Sequence, residues 1–284
     1  MSPRDAVLVP ARALHDELAA GGDVVLLDVR WALGVSDGHE RYLAGHLPGA
    51  VFVDLETELA GPPSPARGRH PLPDLADLQA AARRWGVRSG SRVVAYDAVG
   101  ATSAARAWWL LRWAGLTDVR LLDGGIDAWT GAGFPLEAGE VVPVPGDVVL
   151  SPGGLPTLTP DDAAHLATSG GGLLLDARAG ERFRGEVEPV DPRAGHVPGA
   201  VSAPTTGNLG PDGHFLDETA LRERFAALGV RSDGAQQVGV YCGSGVTAAH
   251  EVAALATIGV DAALYAGSWS QWSNDETRPV ATGA

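Results

Sequence analysis

Ala44-Gly45-His46-Leu47-Pro48-Gly49-Ala50-Val51 recurs far downstream as Ala194-Gly195-His196-Val197-Pro198-Gly199-Ala200-Val201. The blocks around this pair match in the same order. Val24-Val25-Leu26-Leu27-Asp28-Val29-Arg30 precedes the first copy, and Leu173-Leu174-Leu175-Asp176-Ala177-Arg178 precedes the second. Trp85-Gly86-Val87-Arg88-Ser89 answers Leu228-Gly229-Val230-Arg231-Ser232, and Val93-Val94-Ala95-Tyr96-Asp97 answers Val238-Gly239-Val240-Tyr241-Cys242. Gly124-Gly125-Ile126-Asp127-Ala128-Trp129 answers Gly267-Ser268-Trp269-Ser270-Gln271-Trp272. A period this long exceeds any solenoid unit, so the chain is two tandem copies of one domain. The boundaries this suggests are 1–140 and 155–284, with a Pro- and Gly-rich seam over 137–156.

Composition narrows the function classes. The chain has 284 residues, 45% of them hydrophobic and 20% charged, as suits two globular domains. Its 35 acidic residues outnumber 21 basic ones for a net charge of -14, which argues against nucleic acid or an anionic membrane as partner. Every cation is Arg, and with no Lys there is no Schiff-base lysine and no P-loop lysine. The single cysteine, Cys242, excludes an intrachain disulfide and a thiolate zinc cluster. His15, His39, His70, His165, His214 and His250 form no metal-ligand spacing and read as surface or satisfied groups; no metal and no cofactor is expected. Residues 1–10 lack the pattern of a signal peptide, and no apolar run approaches the roughly 20 residues of a membrane span. The expectation is a soluble cytoplasmic protein.

Each copy alternates strand and helix. The runs 24–28 and 173–176 are short and apolar up to a closing Asp, as in strands buried on both faces, and 91–96 and 237–241 are similar. Helices are predicted over 75–85, 101–114, 218–228 and 247–258, the last stopped by Gly259. The fold class is α/β, two domains each built on a mainly parallel sheet flanked by helices. In such sheets ligands bind at the loops beyond the carboxyl ends of the strands.

One such loop carries the chemistry: Val240-Tyr241-Cys242-Gly243-Ser244-Gly245-Val246-Thr247-Ala248. A strand ends at Tyr241, a helix starts near Thr247, and the only thiol opens the short turn between them. Gly243 and Gly245 let the backbone wrap tightly, so its N–H groups can converge on the sulfur as an anion nest. Such a nest favours a thiolate and would stabilise a persulfide anion. The alternative is a buried structural cysteine. The first copy is an internal control: its loop, Asp97-Ala98-Val99-Gly100-Ala101-Thr102, has a carboxylate where the thiol stands. One copy is therefore expected to be catalytic and the other inert. A cysteine phosphatase would need an Arg near the end of the loop, yet Ala248 stands there and no Arg follows before Arg278.

Taken together, the paired Gly-His-x-Pro-Gly-Ala motifs, the Cys242–Thr247 loop and the Gly-Ser-Trp-x-x-Trp segment resemble the two-domain rhodanese superfamily sulfurtransferases. The resemblance covers nearly the whole chain and implies a tandem pair of rhodanese-like domains. The loop Cys-Gly-Ser-Gly-Val-Thr-Ala looks like the 3-mercaptopyruvate version. Thiosulfate-preferring relatives usually carry cations after the cysteine, although bacterial relatives with the uncharged loop are also described as thiosulfate sulfurtransferases. The implied reaction takes sulfane sulfur from a small-molecule donor, thiosulfate or 3-mercaptopyruvate, onto Cys242. It then passes to cyanide, a small thiol or a thioredoxin-like protein. A persulfide carrier or regulatory relay that loads without turnover is the alternative.

The resemblance also implies donor-binding residues. Arg182, followed by Phe183, matches the family's Arg-Phe pair and would grip a carboxylate through two parallel hydrogen bonds. Asp191 stands where the spacing calls for a second Arg, which leaves Arg193 as the nearest candidate. Ser244 matches a serine near the leaving group, with Gly243, Gly245, Val246 and Thr247 completing the loop. His46 and Asp37 resemble a first-domain pair that faces the cysteine. His196 in the identical motif of the other copy makes a turn-bracing role for His46 an equal alternative.

Overall fold

The computed structural model describes residues 2–231 and 235–284; Met1 and Ser232, the last position of the repeated Gly-Val-Arg-Ser block, lie outside them. Nine strands are assigned among the described residues. They are β1 (Leu8–Val9), β2 (Val24–Asp28), β3 (Val51–Phe52), β4 (Arg92–Tyr96), β5 (Val119–Leu122), β6 (Gly172–Asp176), β7 (Val201–Ser202), β8 (Gln237–Tyr241) and β9 (Ala262–Leu264). They form two sheets, ordered β1-β5-β4-β2-β3 and β7-β6-β8-β9, and every pairing is parallel. Read from opposite ends, the orders are the same, with β6, β7, β8 and β9 standing for β2, β3, β4 and β5. The partner of β1 survives in the second sheet as a single parallel bridge, Thr157 to Leu264.

The chain divides into two compact units. One holds the chain up to Gly61 with Pro73–Leu155 and Gly210–Phe215; the other holds Pro62–Leu72, Pro156–Leu209 and Leu216–Ala284. The units are thus not contiguous ranges: the stretch Pro62–Leu72 belongs with the second copy, although it lies within the first in sequence. The seam is strapped to the first unit. Gly146 and Ser151 donate to the carbonyls of Arg83 and Ala114, and Gly154 donates to that of Trp113.

The apolar runs become the central strands because both of their faces are covered. Leu26, Val94, Tyr96, Leu14 and Trp129 form one core, and Leu166, Leu174, Tyr241, Tyr265, Trp269 and Trp272 form the other. Each Trp carries a polar edge that needs an acceptor once buried. Trp129 donates to the carbonyl of Pro135, Trp272 to that of Pro279, and Trp269 to that of Arg193. The helix Ala104–Trp113 is buried over most of its length, and Thr247–Thr257 is its counterpart.

The duplicated motif is a structural lock. In the first copy Arg30 reaches from Asp28 (2.6 Å) to the carbonyl of Gly45 (3.1 Å). In the second, Arg178 spans Asp176 (2.6 Å) and the carbonyl of Gly195 (2.7 Å). The N–H two residues beyond each glycine donates to a strand-end tyrosine, Leu47 to Tyr96 and Val197 to Tyr241. Strand end, ion pair and turn are therefore tied in one assembly, which explains why those blocks recur together.

Candidate active site

Register places the cysteine. Tyr241 lies opposite Asp176 at the ends of β8 and β6, so Cys242 is the first residue beyond the carboxyl edge of the second sheet. The loop is then pinned from outside. The Cys242 N–H donates to Ser268 Oγ (3.2 Å), and its carbonyl accepts from Trp269 N (3.0 Å). The Gly243 carbonyl accepts from Ser270 N (2.9 Å). With its carbonyls drawn toward the helix Ser268–Trp272, the loop turns N–H groups the other way, and Gly245 N–H donates to Cys242 Sγ at 3.1 Å. Gly245 has φ +80°, and a Cβ there would sit 2.4 Å from the Ala266 carbonyl oxygen, so only glycine fits. The thiol is 1% exposed and Ser244 7%.

The first copy shows what the same loop does with a carboxyl group where the second has sulfur. Gly100, at the position of Gly245, also has positive φ. The Asp97 carboxylate accepts from four backbone N–H groups, those of Val99, Ala101, Ser103 and Ala104, at 2.8–2.9 Å. Burial pushes its carboxyl up while those amides pull it down. The first copy's loop thus supplies an amide nest for a carboxyl group, and in the second copy the Gly245 amide meets the sulfur.

Three residues beside the loop escape sequence reasoning. Ser268 is a non-glycine residue at φ +54°; its hydroxyl bridges the Cys242 N–H and the Tyr265 carbonyl. Backbone held this way at a site is stored strain that the surroundings impose. His70 is buried and its Nδ1 lies 2.7 Å from Ser244 Oγ in a hydrogen bond, so it is not a surface group. Arg69, its neighbour, pairs with Asp191. Both come from the stretch 62–72, which lies outside the repeated blocks; its Gly-Arg-His run is the only signal in the sequence.

Arg182 is near the loop, but its grip differs from the expected one. A Cβ added at Gly243 would lie 3.1 Å from Arg69 Nη2 and 3.4 Å from Arg182 Nη1. Arg182 Nη2 is already committed to Glu188 (2.6 Å) and Asp191 (3.3 Å). Arg193 is a correction to the expected second guanidinium: it donates to the carbonyls of Ser273, Arg278, Trp272 and Asp275 at 2.6–2.9 Å. Four bonds to backbone make it a clamp on the C-terminal segment, with its charge spent there. Asp37 and His46 have local contacts in the first unit. Asp37 pairs with Arg41 (3.0 Å) and is 43% exposed. His46 is fully buried, stacks on Tyr42 and bonds the Tyr42 carbonyl through Nδ1 (2.9 Å). His196 does the same on Phe183 (2.8 Å), so both histidines brace their turns.

The family model described as "Rhodanese-like domain" matches residues 11–132 and again 159–275. The chain belongs to the rhodanese-like family. A Mycobacterium tuberculosis (strain H37Rv) protein, provisionally named a thiosulfate sulfurtransferase, is 52% identical over all of this chain and 99% of its own length. The Escherichia coli K12 3-mercaptopyruvate sulfurtransferase is 36% identical over 91% of this chain and 92% of its own. The crystal structure of Escherichia coli SseA, described as a 3-mercaptopyruvate sulfotransferase, superposes with TM-score 0.81 at 33% identity, covering 92% of this chain and 98% of that one. This rhodanese-like chain therefore carries two copies of the family's domain, each a parallel sheet with flanking helices. Among the described residues no helix is long and apolar enough to cross a membrane.

Proposed function

We propose that this rhodanese-like protein is a sulfurtransferase that moves sulfane sulfur from thiosulfate or 3-mercaptopyruvate to cyanide or a thiol acceptor through a persulfide on Cys242. The single observation that carries the reading is the lone thiol at a strand's carboxyl end, with the Gly245 N–H on its sulfur and two guanidinium groups over the adjoining Gly243. The Cys242 thiolate attacks the outer sulfur of the donor. The bond from that sulfur to the rest of the donor breaks, and the electron pair leaves with sulfite or with the enolate of pyruvate. The enolate needs a proton; Ser244, on the same loop and bonded to His70, is placed to deliver one. The nest amides then hold the terminal persulfide anion as their counterparts hold Asp97. An acceptor attacks that terminal sulfur and releases the Cys242 thiolate, the ping-pong order of covalent catalysis.

The first copy has no nucleophile at Asp97, so residues 1–140 serve as the inert domain except for the stretch 62–72, which belongs with the second unit and brings His70 to the loop, and 155–284 serves as the catalytic one. Thiol acceptors include small thiols and thioredoxin-like proteins, and a cytoplasmic setting suits a protein that depends on one free thiol. The test is mass spectrometry of donor-treated protein together with steady-state turnover. The wild type gains about 32 Da, one sulfur atom, and turns over with cyanide. Cys242→Ser does neither while keeping its fold. Sulfur transfer by that variant, or stoichiometric loading without turnover, overturns the reading.

A further inference from the structure

We infer that Asp191 sets the donor preference of this site: by pairing with both guanidinium groups that border Gly243 it cancels their charge, so a donor with one negative charge, the carboxylate of 3-mercaptopyruvate, is taken ahead of dianionic thiosulfate. This rests on the sulfurtransferase reading and names the residue that chooses between its two donors.

Six side chains of the second unit form one string of alternating charge. Arg178 Nη2 donates to Asp176 (2.6 Å) at the end of β6, and Arg178 Nη1 donates to Glu188 (3.4 Å). Arg182 Nη2 donates to Glu188 (2.6 Å) and to Asp191 Oδ2 (3.3 Å). Arg69 Nη1 closes the string on Asp191 Oδ1. All three carboxylates are sealed from water, that of Asp191 to 3% exposure. Three guanidiniums meet three carboxylates, so the string carries no net charge. Salt screens buried charges of this kind far less than it screens surface ones.

The first two carboxylates have structural work. Asp176 accepts from the Arg178 N–H (3.0 Å), which shapes the turn at the strand end. Glu188 Oε1 accepts from the N–H groups of Val190 and Asp191 (3.1 Å each), which seats the turn that carries Asp191. Asp191 differs. Its oxygens accept from Arg69 and Arg182, and among the described residues its side chain takes no other hydrogen bond. Those are the two guanidiniums beside the space over Gly243, at 3.1 Å and 3.4 Å from a Cβ placed there. The side chain therefore acts on the charge and aim of that pair and on no backbone group.

The consequence follows from counting charges. Cys242 attacks as an anion, and Gly243 to Thr247 add no charged side chain to its loop. A donor thus meets a negative nucleophile and a neutral string. One carboxylate can share the guanidinium N–H groups that still face the loop. The second charge of thiosulfate has no cation left to balance it, and stripping water from an unbalanced charge is costly. With Asp191 neutral, the same string would carry one positive charge.

The test compares kcat/KM for thiosulfate and for 3-mercaptopyruvate, with cyanide as acceptor, in wild type, Asp191→Asn and Asp191→Glu. The wild type is expected to favour 3-mercaptopyruvate. Asp191→Asn keeps the shape and removes the charge; it should raise the thiosulfate-to-mercaptopyruvate ratio at least about tenfold, as expected for one unit charge acting within a partly buried site. Asp191→Glu keeps the charge and should keep the wild-type ratio. A carboxylate that only positioned the arginines would lower both donors together and leave the ratio unmoved. In parallel, sulfate and methanesulfonate, tetrahedral anions with two charges and one, are titrated into the reduced proteins at fixed ionic strength and followed by NMR. The wild type should bind methanesulfonate the more tightly, and Asp191→Asn should favour sulfate over methanesulfonate by at least about tenfold more than the wild type does. An unchanged ratio in either measurement, the same change in Asp191→Glu, or a wild type that prefers thiosulfate overturns the assignment. Should Asp191→Asn fail to fold, wild-type binding of sulfate as tight as that of methanesulfonate overturns it, and weaker binding of sulfate supports it. A wild type that loads sulfur from neither donor sinks the sulfurtransferase reading instead, and the anion titration still reads Asp191.

Discussion

Glu251 offers a quantitative test of how the helix behind the cysteine loop is built. It lies on Thr247–Thr257, the helix that begins where the loop ends, and is fully buried. Asn208 Nδ2 donates to its Oε2 at 2.6 Å, and Arg224 reaches the pair only through the Asn208 carbonyl (2.8 Å). His250, its neighbour, is turned to Thr205 (2.7 Å). Burial therefore dominates over the Arg224 charge and pushes the carboxyl from its ordinary 4.5 up to about 7. Between those values the folded protein holds a proton that the unfolded chain has released. Stability from this group is whole below about pH 4.5 and falls as pH rises through 7. The shift corresponds to about 3 kcal/mol between pH 4.5 and pH 8. Glu251→Gln keeps an acceptor for Asn208 and removes the ionisation. Urea unfolding of wild type and variant, followed by tryptophan fluorescence at pH 5, 6, 7 and 8, isolates this carboxyl, because every other titrating group is common to both. The two proteins should be within about 1 kcal/mol at pH 5, and the variant should be more stable by on the order of 3 kcal/mol at pH 8. Parallel pH profiles would refute the claim that burial controls this carboxyl.

Two further substitutions probe the loop and its frame. Gly245→Ala forces a Cβ to 2.4 Å from the Ala266 carbonyl at φ +80°; it should destabilise by about 2 kcal/mol or more and slow sulfur loading at least tenfold, read by thermal unfolding and by the rate of adduct formation. Arg193→Gln removes the clamp on four C-terminal carbonyls and should cost about 2–4 kcal/mol while leaving the donor concentration dependence of loading unchanged. A raised donor requirement in a variant of wild-type stability would return Arg193 to the donor site.

The repeat, read as a repeat, already contained the sheet. Val24–Asp28, Gly172–Asp176 and Gln237–Tyr241 are strands because apolar runs this short, bounded by turn residues, suit burial on both faces of a sheet, and that property is written along the chain. Cys242 was legible for the same reason: strand end, glycine loop and helix start are consecutive, so their order in sequence is their order in space. Asp97 against Cys242 marks the difference between the copies in the sequence itself. The helices ran one to four residues shorter than expected, most at Ala104–Trp113, because the end residues form turns that flank the helix.

Other assignments needed distance in three dimensions. Nothing local says that residues 62–72 join the second unit, or that Arg69 and His70 stand beside a loop far away in sequence. Nor does spacing reveal how a guanidinium is spent. Arg182 and Arg193 look alike on paper, yet one keeps an atom toward Gly243 and the other is consumed by carbonyls of the C-terminal segment. Periodicity and turn chemistry are properties of neighbours in the chain, so the strands, the duplication and the glycine-rich loop that opens with Cys242 can be read from residue order. Which cation stands over that loop depends on competing acceptors, and folding alone brings those together.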